Sequence, residues 1–368
     1  MRLKLTLLYL CLITITSCTT IKQLSNEKIT ATKACSKNDF DERMIYYTAK
    51  IDGKEEKFLF DTGATMAVIT DSTAITAMET KKFGNFGTVT GADKKTVDLK
   101  TFTSKFESDL FYSDNKVFAY VPRKSAKCQS KEEYKGIVGL DVFLGEGSVL
   151  QLDFTNKKIC NIGTSEINDL IRNGYVALKS QCKSKKIYIY ITVDGKECQF
   201  KLDTGFSGSL VIPYADDLNF SKYHSITLEG ELFKTIANNT MGIDNYYEDV
   251  PLNVGDGNIN SIIQVSQTIK VQNAGMKFIK GFDWIIDYNN NKVYVKRNLN
   301  KIDANFNKNV FHYITAVKED RLFISAKQQQ LKEFNLNDEI IMVNKQKVTP
   351  DNICQLQELL NSTKDWKT

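Results

Sequence analysis

The sequence predicts a mainly all-β chain made of two related halves in tandem, followed by a small α+β module. Three observations carry this expectation. A segment around residue 50 recurs in matching order 142 residues later. Both copies alternate β-branched or aromatic residues with others, as in Ile187-Tyr188-Ile189-Tyr190-Ile191, the period of a strand with one buried face. The 368 residues exceed what one core usually holds, and 42% apolar with 25% charged residues is the balance of a folded chain.

The first element is a leader. Arg2 and Lys4 precede an apolar run from Leu5 to Ile15, followed by Thr16-Ser17-Cys18. The run is too short to cross a bilayer and reads as a secretory signal over residues 1–17. Its end resembles a bacterial lipobox, whose cysteine is lipidated and becomes the first mature residue; here that is Cys18. A plain signal peptide with a coincidental cysteine is the alternative. Residues 18–40 are polar and aperiodic, so a flexible tether is expected. Export permits disulfides among Cys35, Cys128, Cys160, Cys182, Cys198 and Cys354, but the sequence does not fix their pairing. Buried thiols with one or two bridges is the expected state.

The repeat divides the middle of the chain into a first half over 41–165 and a second over 166–300. Ile51-Asp52-Gly53-Lys54-Glu55 matches Val193-Asp194-Gly195-Lys196-Glu197, and Phe58-Leu59-Phe60-Asp61-Thr62-Gly63 matches Phe200-Lys201-Leu202-Asp203-Thr204-Gly205. Gly139-Leu140-Asp141 matches Gly281-Phe282-Asp283 at the same offset. Each copy reads strand, Asp-Gly hairpin turn, strand, Asp-Thr-Gly turn. Between the copies, Ser165 to Asn173 reads as a short helix capped by Ser165 and stopped by Gly174. Beyond residue 301, Leu322 to Ala326 reads as a strand, 327–333 as a short helix, 336–348 as a strand and hairpin, and Thr349-Pro350 as a helix start.

A single Asp-Thr-Gly is commonly an ordinary turn after a strand. Two, at equivalent places in a repeat, mean more. If the halves pack with pseudo-twofold symmetry, Asp61 and Asp203 face each other. Two carboxyls in contact cannot both ionise cheaply, so they share one proton. The ionised one is a general base toward water, and the protonated one donates to a carbonyl oxygen under attack. Gly63 and Gly205 let the turns aim the carboxyls inward. The Thr62 and Thr204 hydroxyls are placed to hydrogen-bond across or below the pair and hold it rigid.

With these residues the chain resembles the retropepsin/pepsin-like aspartic proteases, most closely bacterial two-lobed aspartyl proteases with a C-terminal PDZ-like module. The resemblance runs from about Met44 to Arg297 for the lobes. It implies two pseudo-symmetric retropepsin-like β-barrel lobes, catalytic residues Asp61 and Asp203, and peptide or protein substrates. An apolar-apolar-Gly segment cradles each Asp turn in that family. Ile137-Val138-Gly139 matches; Ile279-Lys280-Gly281 departs from the pattern at Lys280, which would favour a charged carboxylate if it lay near the pair. The family's flap hairpin would fall near Thr90, Gly91 and Ala92. Residues 301–368 resemble a PDZ module, degenerate or incomplete, with Asn337 and Lys345 where that family has glycines; a structural cap is the alternative role.

The exclusions are compositional. Lys+Arg 49 against Asp+Glu 44 gives a formal charge of +5, too little to argue for a nucleic-acid surface. Only two histidines are present, so a His-rich metal centre is excluded. No metal or organic cofactor is implied, since water and two carboxyls suffice. The expectation is an aspartic-type endopeptidase of the cell envelope, anchored to the membrane through Cys18 and complete as a monomer. The alternative is a non-catalytic peptide-binding envelope lipoprotein on the same scaffold.

Overall fold

Each copy of the repeat opens with the expected hairpin. In the computed structural model, Ile45–Ile51 pairs antiparallel with Lys54–Asp61, and Lys186–Val193 with Lys196–Leu202. The turns agree in backbone: φ is 50° and 82° at Asp52 and Gly53, and 48° and 83° at Asp194 and Gly195. Two successive left-handed residues give a two-residue turn the twist its strands need, hence Asp-Gly. The structure describes residues 22–75, 78–91, 94–122, 128, 134–144, 147–214, 218–234, 239–306, 312–363 and 366. The signal segment, Cys18 and Ala92 lie outside the described residues.

Strands on both sides carry each Asp-bearing strand into the interior. Lys54–Asp61 also pairs parallel with Gly136–Gly139, placing Val138 beside Phe60 and Gly139 beside Asp61. Lys196–Leu202 pairs parallel with Asn273–Ala274, placing Ala274 beside Leu202. So enclosed, Phe58, Phe60, Phe200 and Leu202 are fully buried.

A six-stranded sheet joins the halves. Its hairpin Val149–Asp153/Lys158–Ile162 comes from the first half, and Phe282–Asp287/Lys292–Arg297 from the second. They lie side by side, Leu150 opposite Ile286 and Leu152 opposite Trp284. Apolar side chains of both halves form one cluster through this sheet, from Phe58 and Phe106 to Phe278 and Trp284. Truncating one of these buried aromatics to Ala costs ~3–5 kcal/mol.

Residues 22–40 are not the expected tether. Thr30–Ala31 pairs with Phe111–Tyr120, Ala34–Lys37 with Lys158–Ile162, and Asp39–Phe40 with Ile45–Ile51. Cys35 and Cys160 face each other in this register and form a disulfide. Edge strands are held by backbone hydrogen bonds, so a polar, aperiodic segment joins a sheet without the alternation that announces a strand. A second disulfide joins Cys128 to Cys354, while Cys182 and Cys198 remain thiols.

The helix between the halves spans Ile167–Arg172 and ends at Gly174, whose φ is 91°. Its entry differs from expectation: the Glu166 carboxylate accepts the Gly163 N–H at 2.8 Å, and Ser165 is not the cap.

The C-terminal segment is tied to both halves. Arg321–Gln328 pairs with Tyr313–Lys318 on one edge and with Ser225–Lys234 of the second half on the other. The helix expected over 327–333 does not form. The chain turns there, and the buried Lys327 ammonium donates to the Leu331 and Phe334 carbonyls. The expected hairpin is limited to Met342–Val343 and Gln346–Lys347, with Asn344 and Lys345 left-handed at its turn. Helix Ile353–Ser362 buries Ile353, Leu356 and Leu360 against Leu322 and Val343.

Candidate active site

The two Asp-Thr-Gly turns meet. A methyl group on Gly63 would overlap the Asp203 carboxylate, and one on Gly205 would overlap that of Asp61. Each glycine is thus the floor on which the opposite carboxylate rests, and only a residue without Cβ fits. The two carboxyls thus meet across the interface, close enough for the charge of Asp203 to act on Asp61.

Beneath them, both threonines are fully buried and bond reciprocally. The Thr62 N–H donates to Thr204 Oγ1 at 2.9 Å, and the Thr204 N–H to Thr62 Oγ1 at 3.0 Å. Each hydroxyl donates onward across the interface, Thr62 to the Leu202 carbonyl and Thr204 to the Phe60 carbonyl, both at 2.9 Å. Four buried hydrogen bonds with twofold symmetry therefore clamp the strand ends that carry the acids. The Gly63 N–H also donates to Asp61 Oδ1 at 2.6 Å.

The same enclosure sets the electrostatics. Burial, then the charge of Asp203, pushes the Asp61 carboxyl far above the ordinary carboxylate range, up to about 7; the Lys201 ammonium and the Gly63 N–H oppose this. Lys201 Nζ lies 2.9 Å from Asp203 Oδ2. Burial works against the Lys201 charge, but Asp203 and Asp61 outweigh it and raise its proton affinity.

Lys201 is the residue beside the two acids that the sequence motifs did not reveal. The signal was in the repeat: Phe58-Leu59-Phe60 becomes Phe200-Lys201-Leu202, a cation in place of an aliphatic residue two positions before the Asp. Two positions along a strand is the same face.

The second cradle is not where the repeat pattern placed it. Asn273-Ala274-Gly275 takes the position expected for Ile279-Lys280-Gly281: Ala274 pairs with Leu202, and its carbonyl accepts the Asp203 N–H at 2.9 Å. The contacts after each cradle correspond, Leu140 N–H to the Ala64 carbonyl and Met276 N–H to the Phe206 carbonyl. Lys280 instead closes the short helix Met276–Ile279, its carbonyl bonded by Asn298 and Asn300. The match at Gly281 was local sequence likeness; the parallel pairing that defines a cradle is long-range, and a two-residue strand carries no period to announce it.

The hairpin Gly84–Thr90/Thr96–Glu107 has its tip where expected, with Thr90 at the strand end and the Gly91 N–H bonded to the Lys95 carbonyl at 2.8 Å. The second half has a counterpart, Ser225–Lys234/Asn239–Val254, which the sequence did not locate. Its Phe233 ring lies 5.9 Å from that of Phe206, the residue following the second Asp-Thr-Gly. Among the described residues, no group of three or more His, Cys, Asp or Glu side chains is placed to hold a metal ion.

No family model matches the chain, and none of the curated proteins matches it.

Proposed function

We propose that this chain is an aspartic-type endopeptidase. The observation that carries the reading is the contact of Asp61 with Asp203 above the reciprocal Thr62/Thr204 bonds. Two carboxyls in contact hold one proton between them. The anion takes a proton from a water molecule as it attacks a peptide carbonyl, and the neutral acid donates to the developing oxyanion. The proton then passes to the leaving nitrogen. The Thr clamp fixes both carboxyls before substrate arrives, so little reorganisation remains for the reaction itself.

Within this proposal the lobes are of the retropepsin type, a monomer is sufficient, and the lipobox-like Cys18 tethers the enzyme to the membrane at the cell envelope. The C-terminal segment serves as a structural brace. A PDZ-like peptide site needs a free strand edge. Here one edge of the sheet is paired with Ser225–Lys234. On the other strand, Thr315 N–H is accepted by Asn361 Oδ1 at 2.8 Å, and its carbonyl is bonded by Gln357 and Asn361.

One observation favours the second reading, a peptide-binding protein that does not cleave. The Lys201 ammonium, 2.9 Å from Asp203 Oδ2, occupies a carboxylate oxygen that an attacking water would otherwise use. Incubation with a proteome-derived peptide library from acidic to neutral pH separates the two. Cleavage that disappears in Asp203→Asn, with an unchanged circular dichroism spectrum, supports the enzyme. Binding with no cleavage at any pH supports the alternative.

A further inference from the structure

The Gly63 N–H favours an anion on Asp61, and the symmetric threonine bonds give no reason for the proton to prefer that residue. The strands beneath do. In the first half, Leu59 lies beside Ile137; in the second, the corresponding pair is Lys201 beside Asn273. The Lys201 and Asp203 side chains are only 15% and 10% exposed. Asn273 is buried too, and its side-chain oxygen has no hydrogen-bond partner. One half thus replaces an apolar pair with a cation and an amide, directly under its own aspartate.

We propose that Lys201 is a positioning residue whose ammonium fixes the single negative charge of the pair on Asp203 and leaves the shared proton on Asp61. Asp203 is then the base toward water and Asp61 the acid toward the carbonyl oxygen. The assignment of roles rests on the peptidase reading; the placement of charge does not.

Among the described residues, the strongest charged and titratable neighbours are these. Lys201 faces Asp203 on its own strand, Asp61 across the interface and Tyr188 on the paired strand Lys186–Val193. On Asn273–Ala274 the facing residue is the uncharged Asn273. Asp61 has Gly139 beside it on the Gly136–Gly139 strand, and the charges acting on it are Asp203 and Lys201. Attraction falls with distance, so Lys201 stabilises an anion on Asp203, at contact, more than one on Asp61.

The consequence for pH has a definite sign. The working state carries one proton, so activity rises as the first carboxyl ionises and falls as the second does. A cation beside the pair lowers both transitions, and the first more than the second. Lys201→Leu, which installs the residue used in the first half, is therefore expected to move both limbs of the kcat/KM profile to higher pH. The acidic limb should move by about 1–3 units and the alkaline limb by less. Lys201→Arg, which keeps the charge, should restore the wild-type limbs. A profile that loses height without moving would overturn the proposal, since that is what a purely structural lysine would give.

Carboxyl-carbon NMR titration of the aspartates, assigned with Asp61→Asn and Asp203→Asn, reads the same order without any activity. Asp203 should ionise at lower pH than Asp61 in the wild-type chain; the reverse order would overturn the proposal even if Lys201→Leu failed to fold. If the chain cleaves no peptide while Asp203 ionises first, the peptidase reading fails and the charge placement stands.

Discussion

Replacing Thr204 with Val tests whether the clamp beneath the acids is what holds the halves in register. Valine keeps the shape and removes the hydroxyl. The Thr62 N–H then loses its acceptor in a fully buried position, and the Phe60 carbonyl loses a donor. An orphaned buried N–H costs about 1–3 kcal/mol, and the underbonded carbonyl about 1 more, since it has a second lone pair to satisfy elsewhere. The expected destabilisation is therefore ~2–4 kcal/mol. Thr204→Ser keeps both bonds and deletes one methyl, for about 1 kcal/mol. Thr62→Val removes the mirror pair, involving the Thr204 N–H and the Leu202 carbonyl, and should cost about the same as Thr204→Val. Urea unfolding followed by tryptophan fluorescence is a suitable assay, because Trp284 is buried in the shared core. If Thr204→Val unfolds within about 0.5 kcal/mol of Thr204→Ser, the clamp does not hold the halves as reasoned.

Two further perturbations test how the flanking segments are tied to the halves. Lys116 is buried between Asp141, just after the first cradle, and Glu27, in the segment that pairs ahead of the first half, at 2.5 Å from each. Lys116→Met should cost about 3–5 kcal/mol in urea unfolding, because it strands a buried carboxylate; Lys116→Met combined with Asp141→Asn should recover part of it. Opening the Cys128–Cys354 bridge by Cys354→Ser should destabilise by about 2–5 kcal/mol, and the transition of Trp366, which packs on Tyr313, should shift most.

What the sequence showed was what short-range geometry controls. The Asp-Gly hairpins are encoded in two adjacent residues, and both appear with nearly equal dihedrals. The Asp-Thr-Gly turns were legible because duplication makes a short motif specific, and the reciprocal hydrogen bonds of Thr62 and Thr204 reflect that symmetry. What was missed depends on pairing between distant segments. Gly275 cradles the second turn although Asn273 and Ala274 carry no apolar signature. Ala34–Lys37 is held by backbone bonds and Cys35, which a polar, aperiodic stretch does not display. Lys201 was visible at its position, but a lysine on a strand reads as a solvated side chain until its neighbour is known to be a buried acid.

The three attachments between the halves have different strengths and one shared result. The threonine bonds are few but lie directly under the acids. The six-stranded sheet is extensive but crosses the molecule through the Leu150–Ile286 and Leu152–Trp284 pairs rather than through the acids themselves. The C-terminal segment takes hold of the second half by strand pairing at Gly230–Ala326 and of the first by the Cys128–Cys354 bridge. A pair of carboxyls sharing a proton works only within a tolerance of about 0.5 Å, far tighter than an unrestrained joint between domains. Local bonds fix the final geometry, but they need the surrounding contacts to keep water from competing for the Thr62 and Thr204 N–H groups. Loosening the outer brace should therefore reach the acids through hydration of that clamp, and amide exchange at Thr62 and Thr204 in Cys354→Ser is where the loosening would register first.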